Sequence, residues 1–367
     1  MKDSLLLIMT PNMSLEKWAT KGHLSRELNY YDELTKKAGL RLTVFSYGRN
    51  DSKYQTDNVT VLCMPGWIPL KIPFKVQNLI YCVYALCYYR KHFRTNLLSK
   101  TNQFTSANFG ILLKIVYGIP LIVRMGFYYS HFKKISLIRR ANEFVAFRFS
   151  DFILTTSKEA ADYIIRSYKV PNSKIVTILN SINLERFKPL KFPKKWDVIV
   201  VSRLEGSKNI SLVLQVLERI PGKSLIIGKG SLEEMVKNAI YQNAKLTWKG
   251  RVDNIDLPKY YNSSKCFMLL SEFEGNPKVL LEAMACGLPC LGTNVPGTRE
   301  CITHHFNGIL VHKDVGSIVN ELESLISSEG ERERLSLNAV NWVNENCNYF
   351  LNIEKEIEIY TRFLKRA

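Results

Sequence analysis

The chain has 367 residues, more than one hydrophobic core usually organises, so two domains are expected. Its 46% hydrophobic and 23% charged content exclude fibrous, low-complexity and disordered classes, and no internal repeat signals a solenoid or propeller. The net charge of +18 is uneven: residues 1–190 hold 28 Lys and Arg against 12 Asp and Glu, whereas residues 191–367 hold 23 against 21. A basic first half points to a polyanionic partner, with a merely soluble basic domain as the plain alternative. No zinc-finger spacing, zipper-linked basic region or aromatic RNA-binding signature is present, so nucleic acid is set aside and an anionic membrane surface is the expected partner.

The N-terminal MKDSLLLIMTPN holds an apolar stretch too short for a signal-peptide core with a cleavage site, and reads as a first buried strand over 5–9. That implies a cytosolic, reducing setting in which the eight cysteines are free thiols, with Cys286 and Cys290 as small core residues. One helix is expected over 15–37, closed by Gly39. Strands follow at 40–46, 59–63, 121–124 and 152–155. The apolar run 79–89, flanked by Lys71, Lys75, Arg90, Lys91 and Arg94, is too short to span a bilayer. It fits a buried helix or one lying in a membrane interface. A helix over 158–168 starts from the capping hydroxyls of Thr155, Thr156 and Ser157. Residues 187–197, with two prolines and four lysines, read as a linker. Six more strands are expected at 198–202, 224–227, 246–248, 266–270, 289–292 and 309–311. A last amphipathic helix over 352–365 carries Ile353, Ile357, Tyr360 and Leu364. Such alternation is α/β: two doubly wound, Rossmann-like domains facing each other across a cleft, with ligands beyond the carboxyl ends of the strands.

Chemistry-bearing residues fall at those ends. Arg203 and Lys208, five apart on a strand-to-helix turn, can converge on one anion, although solvated basic pairs in loops are common. Gly228-Lys229-Gly230 is half a dinucleotide fingerprint, and a simple tight turn accounts for it equally. The most telling segment is SEFEGNPKVLLEAMACGLPCLGTNVPGTRE over 271–300. Glu274 precedes a helix and Glu282 lies inside it, seven residues intervening, so two carboxylates can take hydroxyls at separated points of one long ligand. The backbone N–H groups of the turn meanwhile face anionic groups.

In the order and spacing of these motifs, together with Lys249-Gly250-Arg251-Val252, Gly297-Thr298-Arg299-Glu300 and Asn307-Gly308-Ile309-Leu310-Val311, the stretch from Val198 through Lys313 resembles the family-4 retaining glycosyltransferases of the GT-B fold. The resemblance implies an N-terminal acceptor domain over 1–188, joined by a returning helix over 350–367, and a C-terminal nucleotide-sugar domain over 189–349. It implies that Arg203 and Lys208 hold the donor diphosphate and that Glu274 meets the sugar. Gly275, Asn276, Pro277, Lys278 and Val279 would line sugar and phosphate, Glu282 the ribose, and Gly22, Gly228 and Gly230 the rest of the donor pocket. Reaction would proceed with retention by front-face attack, so no nucleophilic carboxylate is nominated. No cofactor is expected, and no metal: the Asp-x-Asp with which the other common glycosyltransferase fold holds a divalent ion is absent.

The first half matches less closely. Leu179, Ser181 and Asn183 stand where the family usually has Pro, Gly and Asp, and Gly126 stands where a His is frequent. Arg124 is either its replacement or one half of a structural ion pair. His23, beside Gly22, is the one histidine in a matching motif; His131, His304 and His305 read as structural or solvated. The resemblance and the charge together imply a UDP- or GDP-sugar donor and a saccharide or polyprenyl-diphosphate-linked acceptor, used by a cytoplasmic enzyme peripheral at the membrane's cytoplasmic face. A non-catalytic nucleotide-sugar-binding protein, and a GT-B epimerase or phosphorylase, are the competing readings.

Overall fold

In the computed structural model, residues 3–22, 24–126 and 136–364 are described. Two compact units form: Met1–Ile178 with Ile353–Ala367, and Leu179–Asn352. The first holds a seven-stranded sheet of β1 (Ser4–Ile8), β2 (Arg41–Phe45), β3 (Val59–Leu62), β4 (Asn96–Thr101), β5 (Leu121–Met125), β6 (Phe152–Thr155) and β7 (Ile175–Thr177), in the order β3-β2-β1-β4-β5-β6-β7. Its helices are α1 (Leu15–Thr20), α2 (Leu24–Lys37), α3 (Phe74–Tyr88), α4 (Arg90–Thr95), α5 (Ala107–Tyr117), α6 (Leu137–Phe149) and α7 (Lys158–Tyr168).

The second unit has β8 (Trp196–Val201), β9 (Ser224–Ile227), β10 (Leu246–Lys249), β11 (Ser264–Leu269), β12 (Cys290–Thr293) and β13 (Ile309–Val311), in the order β10-β9-β8-β11-β12-β13. Around them run α8 (Ile210–Arg219), α9 (Glu233–Gln242), α10 (Leu257–Asn262), α11 (Lys278–Ala285), α12 (Pro296–Arg299), α13 (Val315–Ser327) and α14 (Glu329–Asn346). The final helix, α15 (Tyr349–Leu364), begins in the second unit and ends in the first. Among the described residues every strand pairing is parallel. Strands in such sheets are covered on both faces, which explains their unbroken apolar runs: Val198 and Val200 enter one core cluster of the second unit, Ile199 and Val201 the other.

Four expectations need correction. The helix expected over 15–37 is two helices, because Gly22 takes φ +66 and ends the first after six residues. The strand β4 was not anticipated, since Asn96, Ser99, Lys100 and Thr101 hide its period, yet all four are buried at the centre of the sheet. Residues 187–197 are not a free linker. Phe187 joins the core, Leu190 N donates to Asn262 Oδ1 at 2.7 Å, and Lys194 Nζ donates to the carbonyls of Asn262 and Ser264 at 3.0 and 2.8 Å. The boundary therefore lies at 178/179 rather than 188/189, because the stretch before Phe187 already belongs to the second unit: Ile182 bridges to Asn348, and Asn352 Nδ2 donates to Leu179 O at 2.9 Å.

The fourth concerns α15. Its buried stripe runs through Ile353, Glu356, Ile359, Tyr360 and Phe363, so a carboxylate sits among the apolar positions. Glu356 meets the Lys100 ammonium at 2.5 Å, with side chains only 6% and 1% exposed. It also accepts from Tyr30 and Tyr360, each at 2.8 Å. Burial raises the Glu356 carboxyl, but the charge of Lys100 and the three hydrogen bonds overcome it and hold the group below the usual carboxylate range. A buried pair costs about as much to desolvate as it regains, but breaking one half strands the other.

Lys100→Met alone should therefore lower the stability of this unit by about 3 kcal/mol, while Lys100→Met with Glu356→Leu recovers much of that loss, as read by urea denaturation. Because the Glu356 carboxyl is lower folded than unfolded, its contribution is complete above the ordinary carboxylate range. It is lost as pH falls through the folded value. Glu356→Gln should flatten that part of the acid limb of a stability–pH curve, and an unchanged limb would count against the assignment.

Candidate active site

The loop after β8 and the turn after β9 are zipped together by backbone. Leu204 N donates to Lys229 O at 3.0 Å, and Leu232 N donates to Leu204 O at 2.9 Å. Only glycine permits this approach. Gly228 has φ +148, and a Cβ there would lie 1.8 Å from the Ser202 carbonyl oxygen; one on Gly230 would lie 2.4 Å from that of Leu204. The pair that resembled a nucleotide-binding turn thus first serves loop-on-loop packing. Glu205, which sequence reasoning passed over, fastens the same contact by accepting from Ser231 Oγ at 2.8 Å and Ser231 N at 3.3 Å.

Along that loop Arg203 is exposed, while Lys208 ends a single 3-10 turn, Gly206–Lys208. Asn209, in the left-handed region at φ +52, then starts α8. The Lys208 ammonium pairs with Glu274, and Glu274 Oε1 also accepts from Ser271 Oγ at 2.6 Å. Both side chains are largely withdrawn from water. The geometry thus brings Lys208 to Glu274 across two strand ends, with Arg203 on the rim of the same loop.

The turn 274–277 is shaped from two sides. Gly297 lies so close beneath it that a Cβ there would sit 2.6 Å from the Glu274 carbonyl oxygen and 2.5 Å from that of Gly275. Gly297 N donates to Glu274 O at 3.2 Å. Asn276 Oδ1 accepts from Asn180 N, and Asn276 O accepts from Asn180 Nδ2, both at 2.7 Å. The side chain of Asn276 is therefore spent on fixing the turn, a role for which the sequence offered no signal. Gly275 and Pro277 are buried, Lys278 and Val279 half-buried. From Pro277 onward α11 has no side-chain cap and no acidic residue in its first turn, where the positive end of its dipole lies.

Glu282 lies deeper on α11, 1% exposed. Its carboxylate accepts from Asn254 Nδ2 at 2.9 Å and from the Tyr261 hydroxyl at 3.3 Å, and Asn254 Oδ1 in turn accepts from Arg186 Nη1 at 3.2 Å. Burial, then the adjacent Glu282 charge, push the Tyr261 phenol well above its ordinary value, keeping it a donor. Asn254 and Tyr261 were missed. The one signal was Lys249-Gly250-Arg251-Val252, two residues short of Asn254.

In the first unit Gly22 occupies its left-handed turn before α2, and His23 lies outside the described residues, as does His131. Gly126 N donates to Gln103 Oε1 at 3.2 Å, and Gly126 O accepts from Thr156 Oγ1 at 3.1 Å. Arg124, at the end of β5, is half-buried near Tyr31, Glu27 and Glu356. Burial opposes its charge, but those neighbours outweigh it and hold the guanidinium above its ordinary value. His304 Nδ1 accepts from Leu310 N at 3.1 Å, a structural contact.

Comparison with known proteins bears out the fold. Residues 181–342 match the family described as Glycosyl transferases group 1, and residues 29–186 match Glycosyltransferase Family 4. The UDP-Gal:alpha-D-GlcNAc-diphosphoundecaprenol alpha-1,3-galactosyltransferase of Escherichia coli is 25% identical over 289 residues, covering 70% of this chain and 73% of that relative. Against most of the curated relatives it matches, the chain spans less than two thirds of their length. Among solved structures, the sucrose-phosphate synthase of Thermosynechococcus elongatus superposes over 100% of both chains with a TM-score of 0.82 at 17% identity. HepE of Anabaena, in complex with UDP and glucose, covers 98% of this chain and 100% of its own with a TM-score of 0.75 at 16% identity. With both halves matched and the two parallel sheets in place, the chain belongs to the family-4 glycosyltransferases of the GT-B fold.

Proposed function

We propose that this enzyme transfers a sugar, with retention and without a metal ion, from a UDP- or GDP-sugar to a saccharide acceptor carried on polyprenyl diphosphate, working peripherally at the cytoplasmic face of the membrane. The reading rests above all on one observation: an ammonium and a carboxylate, Lys208 and Glu274, are held together at the uncapped N-terminus of α11, with a second carboxylate, Glu282, buried further along that helix. Such an arrangement suits a ligand that is anionic in the middle and carries hydroxyls at both ends. The diphosphate would lie against Lys208, Arg203 and the helix N-terminus, the sugar hydroxyls against Glu274 and the ribose against Glu282.

In the reaction the bond between the anomeric carbon and the diphosphate oxygen breaks, and its electron pair stays on the nucleoside diphosphate. Arg203 and Lys208 neutralise the charge that grows there. The acceptor oxygen attacks from the same face and passes its proton to the departing phosphate. Two basic side chains in the loop after β8, and the absence of Asp-x-Asp, support the metal-free form. A relative that by its name uses a UDP-sugar and a diphosphoundecaprenol acceptor, and a neighbour solved with UDP, support the donor and acceptor classes. The basic first half supports the location.

Thermal-shift binding against UDP-, GDP-, ADP- and dTDP-sugars without added metal should single out one donor. Arg203→Ala and Glu282→Gln should each lose its stabilisation while unfolding cooperatively on their own. A wild-type chain stabilised by none of them would point to a binding module instead.

With that donor, Lys208→Met should lower kcat about 100-fold or more with a smaller change in KM, as expected for a group acting on the leaving phosphate. Equal losses in 1/KM alone would make Lys208 a ground-state binder. Activity should persist in excess chelator, and the product's anomeric configuration by NMR should match the donor's; chelator-sensitive turnover or inversion would each remove that part of the reading.

A further inference from the structure

The loop over 63–73, between β3 and α3, turns apolar side chains outward and is held rigidly while doing so. Trp67 is 60% exposed and Leu70 74%. Between them Ile68 is fully buried as an anchor. Arg49 donates from Nη1 to the Gly66 carbonyl at 3.0 Å and from Nη2 to that of Ile68. Gln77 Nε2 donates to the Leu70 and Ile72 carbonyls at 3.3 and 2.8 Å. Trp67 meets Tyr84 edge-on at 5.6 Å, and Tyr84 stacks on Tyr88 at 4.8 Å. Along α3 the row continues: Gln77, Tyr81 and Ala85 face the core while Val76, Leu79 and Val83 face out. Single exposed apolar side chains are ordinary, but several carried together by a hydrogen-bonded loop and the helix that follows it mark a surface with a partner.

Charge indicates which partner. Between Asp57 and Glu143 the sequence contains no acidic residue and twelve Lys and Arg. Of these, Lys71, Lys75, Arg90, Lys91 and Arg94 are exposed around the row. Apolar side chains for the acyl boundary, Trp and Tyr for the headgroup level and unopposed cations for lipid phosphates are the three elements an anionic bilayer surface selects. Among the described residues no helix is long and apolar enough to cross a membrane, so α3 would lie in the interface plane. The loop leaves the carboxyl end of β3, and Gly126 leaves that of the parallel β5, so both stand on one edge of the sheet.

We propose that Trp67, Leu70 and the outward stripe of α3, ringed by these cations, form the surface by which the enzyme docks on an anionic bilayer, setting the strand-end edge of its first unit against the lipid that carries the acceptor. This rests on the membrane location proposed above and assigns the residues that make the contact.

The test is vesicle flotation of the full chain with phosphatidylcholine alone or with roughly one third phosphatidylglycerol, at low and high salt. The wild type should float with the anionic vesicles only, and less so at high salt. Trp67→Ser with Leu70→Ser should weaken partitioning about tenfold or more. Tyr241→Ser, which removes an exposed aromatic from the second unit, should not. Unchanged melting temperature and donor-induced thermal shift would show the docking variant to be folded with its donor site intact. Wild-type flotation that the double variant retains would overturn this surface and leave the membrane location standing. A wild type that floats with neither vesicle would overturn both. A wild-type dimer in sedimentation that the double variant dissolves would assign the row to a second copy of the chain and overturn the proposal.

Discussion

Strands covered on both faces have little room for polar chemistry along their length, so it collects where they end. In the second unit this constraint organises almost everything that matters. The loops after β8 and β9 are drawn together by backbone hydrogen bonds that only Gly228 and Gly230 allow, and the turn after β11 is pressed into shape by Gly297 beneath it. Lys208, Ser271 and Glu274 meet as a result, although they come from two different loops. The glycines are thus architectural, fixing where those side chains stand.

The ion pair between Lys208 and Glu274 bears on how such a site would work. An ammonium has three donors, so Lys208 can keep Glu274 oriented while offering the others to a phosphate. A group already withdrawn from most of the solvent and already oriented has little left to reorganise when charge develops nearby, which is where electrostatic stabilisation is largest. Glu282 is likewise held in place, by hydrogen bonds from Asn254 and Tyr261.

Legibility in the sequence followed the same physics. All six strands of the second unit were readable, because unbroken apolar runs such as 198–201 and 266–270 are what two-faced burial demands. Glu274 and Glu282 were readable because seven residues and a helix start fix their separation. What escaped was whatever depends on long-range pairing. The strand β4 looks polar until Lys100 is known to meet Glu356, 256 residues away in sequence. The buried position of Glu356 was invisible because an isolated glutamate on an amphipathic helix is normally solvated. Asn276 holds Asn180 through its side chain and its carbonyl, a contact that no local pattern announces.

The Lys100–Glu356 pair also has a consequence in the order of synthesis. Lys100 sits in the central strand of the first unit, yet its counter-charge is on α15, which is translated only after the whole second unit. Until that helix emerges, a nascent first domain that closed around β4 would enclose an ammonium without its carboxylate. The second unit lies in one uninterrupted stretch of chain and is free to form as soon as it leaves the ribosome. The first must keep one face open to receive the segment that completes it, so its final closure is a late event however early its strands assemble.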